Sequence, residues 1–351
     1  MEERIKGKLP TNVATNVTIK QIAEEANVSG ATVSRVVNNN YPVSEEVRLK
    51  VLKAISELNY QPNGVARSLK SKKTHMIGIV VADITNPYFM QIAKGVESVV
   101  SSKGYNLLFC STNENPSREH GLLRLLNEKR VDAIVLATCD KDGSHIKHLI
   151  EHGIPVIMVD RKISGLDIDT IVEDNFNASY NITNYLISKG HKKISIVNGL
   201  LNVSTGKERF EGFKKALGDN GILLIEKYVL KGDFKREDAY REVKNMIKKQ
   251  KNDLPTAIFA ANNLMAEGTM IAICEQGLRM PEDISIVSFG DLSISQLIKP
   301  KLTVISQNAY AIGQRAGEIA LERTSGKQKN YKEFVLVPEM EIGESVAMEG
   351  G

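Results

Sequence analysis

Arg35 lies on the outward face of the segment Ser29 to Asn38, and its neighbours on that face are Ala31 and Ser34. Small side chains let a helix backbone come close to base edges in the DNA major groove, and an arginine can reach a guanine or a phosphate from there. A second set of chemically able residues follows short apolar runs further along the chain. Asp83 follows MIGIVVA, Asp160 and Arg161 follow IPVIMV, Asn262 and Asn263 follow TAIFAA, and Arg209 stands early in the helical pattern STGKERFEGF. Charged and amide groups just beyond strands are what a small polar ligand meets in the crevice of an α/β fold. Catalytic patterns are missing: the chain has no GxGxxG or GxxxxGK[ST] phosphate loop, no GxSxG elbow and no HExxH, so an enzyme is not expected. His148 and His152 are four apart, but HLIEH reads as exposed helix. The other histidines, His75, His120, His145 and His191, also fall mostly in surface-helix or linker contexts. No metal and no cofactor is expected.

These residues need elements to position them. Thr18 can cap a first helix in which Ile19, Ile22, Ala23 and Ala26 share a buried face. Asn27, Val28 and Ser29 break it, and Ser29 caps a second helix whose Val33, Val36 and Val37 point back at the first. A third helix is expected from Ser44 to about Asn59, with Glu45 and Glu46 at its positive end and Val47, Val51, Ile55 and Leu58 on one face. Pro62 then fixes the exit of the chain, and Asn63 can cap a short helix from Val65 to Leu69. Five residues do not hold a helix alone in water, so ordering against a partner chain and DNA is expected.

Charge divides the chain in the same place. Through His75 there are 12 Lys and Arg against 7 Asp and Glu, while the remaining 276 residues carry 34 against 35. A positive charge confined to the first fifth is the electrostatic footprint of phosphate contact. At 351 residues and 42% hydrophobic, the chain is long enough for two or three cores, and no apolar run is long enough to span a bilayer. Residues 1–16 lack the apolar centre of a secretory signal and read as a disordered leader. Cys110, Cys139 and Cys274 are odd in number and set in apolar runs, which reads as buried thiols in a reducing cytoplasm.

From Met76 onward, MIGIVVA, YNLLFCS, VDAIVLA, IPVIMVD, KISIVNG, TAIFAA and ISIVSF alternate with amphipathic segments, which argues for parallel sheets flanked by helices. With VTIKQIAEEANVSGATVSRVVN, the hinge PNGVARSLK and IGIVVADITNPYF in this order, the chain from about Val17 to its end resembles the LacI/GalR family of bacterial transcription regulators. The resemblance implies an all-α helix-turn-helix headpiece (17–61), a hinge and linker (62–75), and an α/β two-lobed effector domain (76–351) of the type I periplasmic-binding-protein kind. Its N-lobe would comprise about 76–174 and 307–336, and its C-lobe about 175–306 and 337–351. The crossovers are placed near 173–176, 304–308 and 335–339.

The resemblance also assigns roles. DNA-contact candidates are Thr18, Ser29, Gly30, Ala31, Thr32, Ser34, Arg35 and Asn38 in the headpiece, with Val65, Ala66, Arg67 and the minor-groove wedge Leu69 in the hinge. Effector-site candidates are Asn86, Tyr88, Phe89, Asp160, Arg161, Arg209, Phe234, Asn262, Asn263, Phe289, Asp291 and Gln307. Two positions depart from the family's pattern: Asn262-Asn263 stands where Asn-Asp is common, and Phe289-Gly290-Asp291 where Phe-Asp-Asp is common. Losing two carboxylates while Arg161 and Arg209 remain predicts a more positive cleft and an acidic sugar effector, such as a hexuronate, aldonate or keto-deoxy sugar acid. The implied protein is a cytoplasmic homodimer, without membrane attachment, that binds a pseudo-palindromic double-stranded operator as a repressor under control of that effector. The competing readings are a global carbon-catabolite regulator with a phosphorylated protein corepressor, and a sugar-binding transport protein.

Overall fold

A computed structural model describes residues 17–38, 41–60, 73–250, 253–292, 295, 297–326 and 330–349. They fall into two compact units on either side of the Lys72–Lys73 boundary. The leader and the hinge expected around Val65 to Leu69 lie outside the described residues.

The first unit is built on helix capping. Thr18 closes α1 (Ile19–Glu25) from both sides, its Oγ1 accepting from the Gln21 amide while Gln21 Oε1 takes the Thr18 amide at 2.8 Å. Asn27 then adopts a φ of 50°, a left-handed conformation that asparagine tolerates better than most residues. This turn leads into α2 (Gly30–Asn38), where the Thr32 amide donates to Ser29 Oγ at 3.1 Å. With α3 (Glu45–Glu57), the helices enclose Ile22, Ala23, Ala26, Val33, Val51, Ala54 and Tyr60. Ile19, expected on that buried face, is 39% exposed. It borders Gly30, which has no side chain to cover it.

The second unit contains two six-stranded sheets. The first has the order β11-β5-β4-β3-β1-β2 and comprises β1 (Met76–Val81), β2 (Asn106–Ser111), β3 (Ala133–Leu136), β4 (Val156–Val159), β5 (Asp169–Glu173) and β11 (Glu333–Leu336). The second has the order β12-β10-β9-β8-β6-β7, from β6 (Ile194–Asn198), β7 (Val229–Lys231), β8 (Ala257–Ala260), β9 (Ser285–Phe289), β10 (Thr303–Ser306) and β12 (Glu339–Glu341). All pairings are parallel except β10 with β12. The exception follows from geometry. The carboxyl ends of the two sheets face one cleft, so a chain running straight from β11 into β12 enters the second sheet reversed. The chain changes sheet three times, after Glu173, after Ser306 and after Leu336.

Helices cover both sheets and carry the site. In the first lobe these are α4 (Pro87–Val100), α5 (Pro116–Glu128), α6 (Ser144–Glu151) and α11 (Ala309–Thr324). In the second they are α7 (Asn175–Ser188), α8 (Ser204–Asp219), α9 (Arg236–Lys249) and α10 (Asn263–Glu275). α4 and α11 meet backbone to backbone: a Cβ on Gly95 would lie 2.2 Å from the Tyr310 carbonyl oxygen, and one on Gly313 2.0 Å from that of Ile92. Gly95→Ala is therefore expected to cost roughly 1–3 kcal/mol, the usual range for overpacking. Urea unfolding of the variant checks this, and an unshifted midpoint would refute it.

Two expectations need correction. Cys139 is buried and Cys110 half-buried, but Cys274 is exposed, because the core side of α10 is formed by Met265, Ala266, Thr269, Ala272 and Ile273. His191 is buried, not superficial, its ring nitrogens 2.9 Å from Thr256 Oγ1 and 3.2 Å from the Ala347 carbonyl oxygen. Among the described residues no helix is long and apolar enough to cross a membrane.

Candidate functional site

The headpiece presents Ala31 and Arg35 fully outward, with Gly30, Thr32 and Ser34 half-buried beside them. Thr18 and Ser29, the two capping residues, are exposed, and Asn38 closes α2. Arg35 has a neighbour that spacing did not suggest: its guanidinium carbon lies 5.8 Å from the centroid of the Tyr41 ring. A cation held near an aromatic face is partly pre-oriented, which suits a side chain meant to reach outward. Val65, Ala66, Arg67 and Leu69 lie outside the described residues.

A cavity of about 360 Å³ lies where the carboxyl ends of the two sheets meet. The first lobe supplies Asp83, Thr85 and Asn86 after β1, Tyr88 and Phe89 from α4, Asn113 and Glu114 after β2, and Asp160 and Arg161 after β4. The second supplies Thr205 and Arg209 from α8, Phe234, Lys235 and Glu237 near the start of α9, and Asn262 and Asn263 at the start of α10. Gln307 lines it from the second crossing.

The side chains of the cleft are extensively bonded to one another. Arg161 forms a two-pronged ion pair with Glu114, at 2.7 and 2.5 Å, and donates to the Thr138 carbonyl at 3.0 Å. Burial opposes its charge, but the Glu114 carboxylate more than offsets this and raises the Arg161 pKa. Arg209, 4% exposed, donates from Nε to Asn175 Oδ1 and from Nη1 to the Ala261 carbonyl, both at 2.8 Å. Its guanidinium carbon sits 3.6 Å from the centroid of Phe289. Asn86 and Asn263 exchange amide hydrogen bonds across the cleft at 3.2 and 3.0 Å, so each lobe holds the other directly. Asn262 caps α10 by accepting from the Met265 amide at 2.8 Å and donates to the Phe234 carbonyl at 3.2 Å. Tyr88 and Phe89 meet edge to face at 5.3 Å, and burial beside the Asp160 and Glu173 carboxylates holds the Tyr88 phenol well above its usual range.

Two candidates do not reach the cavity. Phe289 is fully buried and supports Arg209 from beneath. Asp291 turns away because Gly290 adopts a φ of 92°, and its carboxylate accepts from Ser306 Oγ at 2.8 Å. The expected surplus of positive charge is also absent, since Asp83, Glu114, Asp160 and Glu237 face Arg161, Arg209 and Lys235 around the wall. Sequence reasoning missed Glu114, along with Thr85, Asn113, Thr205, Lys235 and Glu237. Glu114 follows β2 just as Asp83 follows β1, and the asparagine-flanked turn TNEN was the sequence sign of a shaped loop, which in the structure takes φ of 53° at Asn113 and 57° at Glu114.

Glu173, at the first crossing, is buried behind this wall and accepts from Gln307. Burial raises its pKa from 4.5 to about 7. The folded state thus holds a proton that the unfolded state has released, so stability falls as pH rises between those two values and levels off above them. Glu173→Gln should remove this loss and gain up to about 3 kcal/mol at pH 8, with little change at pH 4. Urea titrations at both pH values check it, and an unaltered pH slope in the variant would contradict it.

Comparison with known proteins places this geometry. Residues 74–336 match the model of periplasmic binding proteins and the sugar-binding domain of the LacI family, and residues 18–63 match that of bacterial regulatory proteins of the lacI family. The HTH-type transcriptional repressor PurR of Pasteurella multocida (strain Pm70) is 38% identical over 330 residues, covering 94% of this chain and 98% of that protein. A lac repressor dimer bound to operator and the anti-inducer ONPF superposes with a TM-score of 0.81 at 28% identity, covering 94% and 99% of the two chains. A regulator from Enterococcus faecium with bound ribose gives 0.69 at 29% identity, covering 78% and 99%. This chain therefore belongs to the LacI family of DNA-binding transcriptional regulators and is not an enzyme.

Proposed function

We propose that the chain acts in the cytoplasm as a homodimeric repressor of a pseudo-palindromic operator, and that a neutral monosaccharide in the cleft sets its operator affinity. The observation that carries the choice of ligand is the Arg161–Glu114 pair. An arginine already satisfied in a two-pronged carboxylate pair is not free to take a ligand carboxylate, whereas Asp160, Arg209, Asn262 and the aromatic edges suit hydroxyls and the apolar face of a sugar ring. The sugar-acid expectation keeps one supporting group. Lys235 lines the cavity, is exposed, and has no ion-pair partner among the described residues.

Coupling follows from the amide exchange between Asn86 and Asn263. A ligand that binds the cleft better with this exchange made, or better with it broken, shifts the balance between lobe arrangements. Thermal-shift titration of the full chain with neutral pentoses and hexoses, and with the matching aldonates and uronates, tests the ligand. Stabilisation by sugar acids alone would overturn the neutral reading. Anisotropy with duplex DNA from the region upstream of its own gene tests the other half. Arg35→Ala should weaken binding roughly tenfold to a hundredfold, the value of one good base contact, and leave cleft binding unchanged. Equal DNA affinity for wild type and variant would remove Arg35 from the interface.

A further inference from the structure

Three side chains from two helices and the loop between β3 and α6 converge on the first lobe. His120 on α5, Asp140 in the loop after β3 and His145 on α6 each offer a donor atom within 4.8 Å of the other two. His120 Nε2 is 2.8 Å from Asp140 Oδ2, and the two imidazole centroids are 4.2 Å apart. Behind them, Glu119 is fully buried. One of its oxygens is 3.0 Å from His145 Nε2 and 2.8 Å from Thr138 Oγ1, and the other accepts the Cys139 amide at 2.7 Å.

This second row of contacts is what separates the cluster from an ordinary pair of surface ion pairs. A carboxylate that accepts one imidazole N–H fixes the tautomer and leaves the other nitrogen with its lone pair, the arrangement found behind metal-ligating histidines. Here that other nitrogen, His145 Nδ1, is buried and has no hydrogen-bond partner. A buried imidazole nitrogen left unpaired costs free energy unless something accepts its lone pair. The Asp140 loop is also set in advance, its Oδ1 taking the Asp142 amide at 3.0 Å while Oδ2 faces His120.

We propose that His120, Asp140 and His145 form a site for a divalent transition-metal ion of the zinc class, with Glu119 orienting His145. Two imidazoles and one carboxylate are a borderline-soft donor set that suits Zn²⁺, Co²⁺ or Ni²⁺ and not Mg²⁺ or Ca²⁺. Bonds of about 2.0–2.1 Å in a tetrahedron set the donors roughly 3.3 Å apart, a spacing reached from these positions by small side-chain rotations, and water completes the shell. His120 is 48% exposed in its side chain and gives the ion a path in. The site also borders the cleft. Thr138 bonds Glu119 through its hydroxyl, and its carbonyl receives Arg161.

The test is equilibrium dialysis of the untagged full chain with Zn²⁺, paired with the visible absorption of bound Co²⁺. One ion per chain is expected, with the Co²⁺ spectrum of a four-coordinate centre and no competition from excess Mg²⁺. His120→Ala, His145→Ala and Glu119→Gln should each weaken binding by about tenfold to a hundredfold. His120 is exposed enough that its loss leaves folding intact, so a result from that variant cannot be attributed to unfolding. His148 on α6 and His152 just after its end, whose rings lie 4.1 Å apart, provide the control, and replacing both should change nothing. Absence of saturable Zn²⁺ binding, unchanged affinity in His120→Ala, or loss of binding only in the His148/His152 variant would overturn the proposal.

Discussion

Arg209→Ala is expected to lower the stability of the two-lobed unit by about 3–5 kcal/mol, the usual cost of removing one partner from a buried charge network. The guanidinium is 4% exposed and serves both Asn175 and the Ala261 carbonyl, one on the helix after the first crossing and the other at the end of β8. Alanine would leave that carbonyl and the asparagine oxygen without their donor and expose the face of Phe289 to an empty space. Asp160 and Glu173, whose charges favour a charged Arg209, would lose a counter-charge in a dry environment. Burial lowers the pKa of Arg209, and the Asp160 and Glu173 charges offset that only in part, so losing either side of the network is costly. Arg209→Lys separates charge from geometry. It keeps a cation but cannot hold two acceptors in a planar fork, so it should recover only part of the stability. Urea unfolding of wild type and both variants, followed by thermal shift with a bound sugar, gives the readout. A loss below about 1 kcal/mol in Arg209→Ala would mean that the network re-forms without it.

How much of this could be read beforehand depended on sequence distance. The capping of α1 and α2, the buried stripe from Ile22 to Val33 and the seven apolar runs were legible because helix and strand periodicity are local. β5, β7, β10, β11 and β12 were not among those runs. DTIVE, VLK, TVIS, EFVL and EME are short and several carry charge, and they become strands through neighbours brought from elsewhere in the chain. Asp169 in β5, for example, is buried only because Arg323 on α11 pairs with it at 2.6 Å. The end-of-strand rule drew attention to Asp83, Asp160, Arg161, Asn262 and Asn263, all of which line the cleft. Asp291, a candidate from the family resemblance and not from that rule, follows a Gly290 with a φ of 92° and bonds Ser306 instead of lining the cleft. The rule was silent on pairing. Arg161 and Glu114 are 47 residues apart, Asn86 and Asn263 are 177 apart, and no periodicity relates such positions.

The second large effect is expected from Glu114, because that one carboxylate sets both the stability and the charge of the cleft. Arg161 is 3% exposed and donates to both oxygens of Glu114 in a two-pronged pair; its next nearest acid, Asp160, is 3.4 Å from Nε. Glu114→Ala leaves a buried guanidinium with Asp160 as its only acid and the Thr138 carbonyl as its remaining acceptor, and a loss of about 3–5 kcal/mol follows. Glu114→Gln keeps one acceptor oxygen and should lose less. The same change alters specificity. With Glu114 gone, the fork of Arg161 faces a cavity it already lines, and a ligand carboxylate can take the vacated place in the same geometry. Aldonates and uronates should then raise the melting temperature of Glu114→Ala by more than they raise that of wild type, with neutral sugars showing no such gain. Stabilisation by sugar acids that is equal in wild type and variant would mean that the ligand carboxylate never meets Arg161. The departure from a neutral-sugar cleft would then have to come from Lys235.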